Sequence, residues 1–108
     1  MHERIYHCRF VDLEDIINGF TADENVRGNR LIQVQIIRSH GTFCEVKMCF
    51  LHVDEFLDQK VVVLKIDSFV FKECRIEETI EEFNEYKLQF RYDRDFRVRN
   101  FVILCFER

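Results

Sequence analysis

The sequence predicts a mainly β fold with minor α: a small antiparallel barrel or a β-sandwich of about six strands. A short helix is expected near 12-19 and an amphipathic helix near 75-85, within one domain spanning 1-108. Three observations carry this. Apolar and polar residues alternate with period two along most of the chain, as in strands with one buried face. One acidic segment switches to helical spacing. With 3 Gly and no Pro in 108 residues, little is left for linkers or disordered tails.

In chain order, Arg4 to Val11 reads as a strand with Tyr6, Cys8 and Phe10 on one face and His7 and Arg9 on the other. Asp12 to Gly19 reads as a short helix, with Asp12 as its N-cap and Gly19 as its left-handed stop. Residues 20–30 are polar and read as the longest loop. Leu31 to Arg38 and Phe43 to Val53 then form a hairpin. His40-Gly41 sits at the centre of its connection, where Gly tolerates positive φ. Cys44, Val46, Met48 and Phe50 point inward there, and Glu45 and Lys47 outward.

Asp54 to Gln59 is a turn. Lys60 to Lys72 is a long β-branched run, apolar on both faces for part of its length, which marks a central or strongly curved strand. In residues 75–85, Ile76, Ile80 and Phe83 recur at i, i+4 and i+7, and five glutamates take the other face. Tyr86 to Arg108 reads as a closing hairpin turning at Asp93-Arg94-Asp95. Tyr86, Leu88, Phe90 and Tyr92 form one apolar row, and Lys87, Gln89 and Arg91 a polar one. The second strand, Phe101 to Phe106, is apolar on both faces and belongs inside the sheet.

From residue 30 the order is a three-strand meander, a helix and a two-strand hairpin. This is similar to the element order of small OB-type barrels, with the first strand and helix as additions. The similarity is one of order alone, and a two-layer α+β sheet or a sandwich uses the same elements. No internal repeat is visible.

The function classes narrow by exclusion. No run reaches the ~18 apolar residues of a membrane span, and the first residues lack a secretory h-region, so no membrane partner is expected. The 5 cysteines are odd in number and read as reduced thiols, which points to a cytoplasmic or nuclear protein. Cys8, Cys44 and Cys105 look like core. Cys44 and Cys49 point to opposite faces of one strand, and no metal-ligand spacing occurs, so no metal is expected. No nucleophile elbow, phosphate loop or catalytic constellation is present, which argues against an enzyme, a cofactor or a small-molecule substrate.

Charge is unevenly spread. Residues 1–72 balance to −2 and residues 86–108 to +3, while residues 73–85 carry −5, for a total of −4. An acidic chain is a poor general phosphate binder, yet the closing hairpin is basic and aromatic. Its candidate binding residues are Arg91, Tyr92, Arg94, Phe96, Arg97 and Arg99. Guanidinium groups with aromatic rings suit single-stranded nucleic acid, although Asp93 and Asp95 stand ready to neutralise them.

A second expectation competes. Phe43, Leu51, Val53, Phe69, Phe71, Phe101 and Ile103 fall on the parity opposite the main core row, and a contiguous patch of them would be an association surface. The leading expectation is therefore a non-enzymatic protein-interaction or assembly subunit, with a protein partner or self-association. Its alternative is an OB-like module for single-stranded nucleic acid.

Overall fold

The computed structural model describes residues 1–67, 71–96 and 100–108. It is mainly β, with six strands in two three-stranded antiparallel sheets and two α-helices among the described residues. The first sheet contains β1 (His2–Arg9), β2 (Asn29–His40) and β3 (Phe43–His52) in the order β1-β3-β2. The second contains β4 (Gln59–Ile66), β5 (Lys87–Asp95) and β6 (Asn100–Glu107) in the order β4-β6-β5. Helix α1 (Leu13–Val26) follows β1, and α2 (Lys72–Glu82) lies between β4 and β5. The ladders do not close into a barrel. The molecule is a sandwich, and each half is the same β-α-β-β unit with the same strand order. That repeat is one of topology, and the sequence alone does not display it.

Two cores follow from the alternation. Inward residues of the first sheet (Cys44, Val46, Met48 and Phe50 on β3 among them) meet Leu13 and Ile17 of α1 and Val61, Ile103 and Cys105 of the second sheet. The opposite face of β6 presents Val102, Leu104 and Phe106 to Ile76 and Phe83 of α2. Strand β6 is thus buried from Asn100 to Phe106, as its two apolar faces require. Its large side chains each stabilise the fold by about 1.5–3 kcal/mol through area removed from water.

Several boundaries differ from expectation for physical reasons. Helix α1 does not stop at Gly19 but continues to Val26, through most of the segment read as a loop. Its buried stripe runs Leu13, Ile17, Thr21, Glu24, so polar residues occupy core-facing positions and mask the helical period. Asp12 precedes the helix but makes no capping bond; its carboxylate accepts from Arg9 Nε at 3.0 Å instead. The stop is Gly28, at a φ of 79° that favours glycine, where a Cβ would meet the Asp54 Cα at 3.1 Å. The expected β2–β3 hairpin forms, with its turn at Gly41 and Thr42.

Strand β4 ends at Ile66, and Lys72 already belongs to α2. In α2 the buried face is Ile76 and Thr79 with Phe83 behind them, while Ile80 lies at its exposed margin. The last hairpin turns later than Asp93-Arg94-Asp95, because β5 runs through Asp95. A register shift between Leu88 and Phe90 also breaks its single apolar row. Tyr86 and Leu88 join the α2 core, whereas Phe90 and Tyr92 join the core shared with α1.

Candidate functional site

The six basic and aromatic residues proposed from the last hairpin do not form one cluster. Arg97 and Arg99 lie outside the described residues. Arg91 points to the α2 side, where its guanidinium donates to Glu73 (3.0 and 3.1 Å) and Asp93 (2.7 and 3.1 Å). Asp93 also pairs with Lys72 at 2.8 Å. The Arg91 bonds, despite burial and aided by Lys72, hold the Asp93 carboxyl below the usual carboxylate range. Tyr92 is committed to the fold: its hydroxyl accepts from Ile36 N–H at 3.2 Å and donates to Ile36 C=O at 3.4 Å.

Arg94 and Phe96 are placed differently. In the ladder Lys65 and Arg94 both lie opposite Phe101, so all three side chains share one face of the sheet. That face is the one carrying Ile103 and Cys105, directed toward the first sheet. Phe10 stacks on Phe101 with centroids 4.8 Å apart, Phe96 meets both rings edge-on, and the Arg94 guanidinium lies 5.5 Å from the Phe96 centroid. Phe10, Lys65, Phe96 and Phe101 line a cleft of about 510 Å³ at the β2–β3 turn together with Arg9, Ser39 and Thr42, and the exposed Arg94 stands outside that lining, over Phe96. Asp93 and Asp95 occupy the opposite face of β5 from Arg94, so neither neutralises it. Lys65, Arg9 and Phe10 were missed in the sequence; the available signal was that Lys65 continues the inward parity of Val61 and Val63.

The sheet edges form a second feature. Helix α1 caps the free edge of β4 with side chains one turn or more apart. Glu14 accepts from Val63 N–H (2.8 Å), Asn18 accepts from Val61 N–H and donates to its carbonyl (both 2.8 Å), and Asn25 accepts from Gln59 N–H (3.0 Å). Strand β2 is capped by the Gln59 amide, which accepts from Leu31 N–H and donates to Leu31 C=O, and further along by Tyr92. Strand β5 runs beside β2.

No comparable cap lies on β1 among the described residues. Helix α1 meets only its inner face, through an Arg4–Glu24 pair and a Tyr6–Phe20 edge contact. Burial alone would raise the Glu24 carboxyl, but bonds from Arg4 and His2 outweigh it and hold the pKa low. Seven of the eight β1 residues keep substantial exposure, with Ile5 at 57% and Tyr6 at 42%.

The second apolar face expected from parity divides in the same way. Phe101 and Ile103 are buried, Val53 is half-buried, and Phe69 lies outside the described residues. Phe43, Leu51 and Phe71 are exposed. The outer face of the first sheet interleaves its apolar residues with Glu45, Lys47, Gln33 and Gln35, so it offers no continuous greasy patch.

Cys8, Cys44 and Cys105 are core, as their parity suggested, and Cys49 is buried beside Glu3 on the outer face. Burial pushes the Cys44 and Cys105 thiols up to about 12, so neither is an available thiolate at neutral pH. No group of three or more His, Cys, Asp or Glu that could hold a metal ion occurs among the described residues, and no helix there is long and apolar enough to cross a membrane. No family model, curated protein or solved structure matches the chain.

Proposed function

We propose that this protein is a non-enzymatic assembly subunit that associates through the outer edge of β1, with a second copy of the same chain as partner. The observation that carries this reading is the contrast between edges: β4 and β2 are closed by dedicated side-chain bonds, and β1 is not. An unpaired edge is a ready template for another strand. Charged residues commonly blunt such edges, and β1 carries Glu3, Arg4 and Arg9, but Arg4 is already paired with Glu24 and Arg9 with Asp12.

In an antiparallel pair about a two-fold axis, the central residue faces its own copy. Centred on Ile5, the pairing sets Ile5 against Ile5, Arg4 against Tyr6 and Glu3 against His7 of the second copy. Each such cross-strand pair contributes roughly 0.2–1 kcal/mol, and the shared main-chain bonds would join two three-stranded sheets into one of six. Edge pairing alone buries less than the ~1,200 Å² of a tight interface, so the dimer is weak and concentration-dependent.

Sedimentation and light scattering at rising concentration test this. Dimer formation that disappears in Ile5→Lys is the expected result, since the exposed side chain is not needed for folding. A chain that stays monomeric up to millimolar concentration, or a dimer indifferent to Ile5→Lys, sinks the reading.

A further inference from the structure

We infer that the cleft lined by Lys65, Phe96 and Phe10, with the exposed Arg94 over Phe96 beside it, binds a nucleotide unit, phosphate and base together, independently of any association through β1. The argument begins with charge. Burying part of a cation is unfavourable unless something offsets it, and partly buried cations are usually paired. Lys65 is half-buried and Arg94 flanks the same phenylalanine, yet neither has a carboxylate partner among the described residues. Two acids lie on neighbouring elements: Asp12 pairs with Arg9, and Glu14 accepts from the Val63 amide and shares a concavity with Lys65 without an ion pair to it. On the other face of the sheet the opposite holds, because Arg91 is matched by Glu73 and Asp93.

The sheet therefore sorts its charges. Arg91 with its two acids and the exposed glutamates of α2 lie on one side, and Lys65 and Arg94, without a carboxylate partner among the described residues, lie on the other. A phosphate is the anion that this arrangement fits, because Lys65 and Arg94 stand on the two outer strands with Phe101 between them. The rings supply the rest. Phe10 and Phe101 stack nearly parallel, at 20°, and Phe96 stands across them with a guanidinium over its face. A base entering this cleft meets an apolar wall made by the half-buried Phe96 and Phe10. Ser39 and Thr42 add hydroxyls on the facing wall. A volume of about 510 Å³ holds one or two such units.

Fluorescence anisotropy with labelled oligo-dT and oligo-rU tests the inference. Two phosphate contacts to a single strand give a salt slope of about −1.4, so affinity falls about sevenfold when salt rises about fourfold. The double variant Lys65→Glu/Arg94→Glu should lose binding about tenfold or more, and Phe96→Ala should weaken it, while Arg91→Gln on the far face should not. The milder Lys65→Gln/Arg94→Gln pair, checked by circular dichroism, separates lost contacts from a damaged fold. Competition by a free nucleoside triphosphate as strong as by the oligonucleotide identifies a free nucleotide as the ligand; much weaker competition identifies a single strand. Absence of binding by either at low salt, or binding that survives both Lys65/Arg94 pairs, overturns the inference.

Discussion

At the scale of single residues, two glycines with opposite roles make the point that a residue type is not a signal until its backbone is known. Gly28 ends α1 in the left-handed region, and its carbonyl accepts from the Val53 and Asp54 amides at 2.9 and 3.2 Å. Gly19 sits inside the helix with nothing within 4 Å of the position a Cβ would take. Gly19→Ala should therefore raise stability by about 0.5–1 kcal/mol, by removing backbone freedom from the unfolded chain without adding a clash. Gly28→Ala should lower it by at least about 1–2 kcal/mol from the left-handed conformation, before the tight approach to Asp54 is counted. Chemical denaturation midpoints of the two variants should move in opposite directions; movement in the same direction would contradict this assignment of the helix end. Gly19 reads as a stop because the residues after it that keep the helix going are Thr21 and Glu24, which look like surface.

At the scale of elements, the long-range hydrogen bonds of α1 matter as much as its apolar stripe. Asn18 satisfies both main-chain groups of the buried Val61, so Asn18→Ala leaves a donor and an acceptor unpaired at once. Two lost bonds of about 1–1.5 kcal/mol each predict a loss of about 2–3 kcal/mol, measurable by urea unfolding. A loss below about 0.5 kcal/mol would mean that water caps the edge as well as the helix does. Alternation made β2, β3 and β6 legible, down to which residues of β3 point inward. It failed for β5, where an extra residue moves the apolar row from one face to the other. A period-two pattern has no mark for such a shift, since both halves keep perfect alternation. Arg91 and Arg94 looked like neighbours around a tip for a different reason: the turn was expected at Asp93-Arg94-Asp95, and in a strand that runs through Asp95 they fall on opposite faces.

At the scale of the whole molecule, the two β-α-β-β units depend on each other. The inward face of the first sheet is completed by Val61, Ile103 and Cys105 from the second unit, and α1 of the first unit closes the edge of β4. Peptides 1–56 and 57–108, made separately, should each lack cooperative thermal unfolding, because each exposes half of a shared core. A sharp transition in either one would show that a unit is self-sufficient. The topological repeat also bears on the open strand: β4 and β1 hold equivalent positions in their units, and among the described residues only β4 has a helix from a neighbouring unit against its edge. None of this is visible in one dimension, since the residues that join the units (Asn18, Gln59 and Tyr92) are ordinary polar residues whose partners lie 28 to 56 positions away.

The register shift at Gln89 gives β5 a divided loyalty. Its first half is held by α2, and its second by the first sheet and α1, along one uninterrupted backbone. One strand thus packs on α2 through Leu88 and, through the Tyr92 hydroxyl, on the edge of β2.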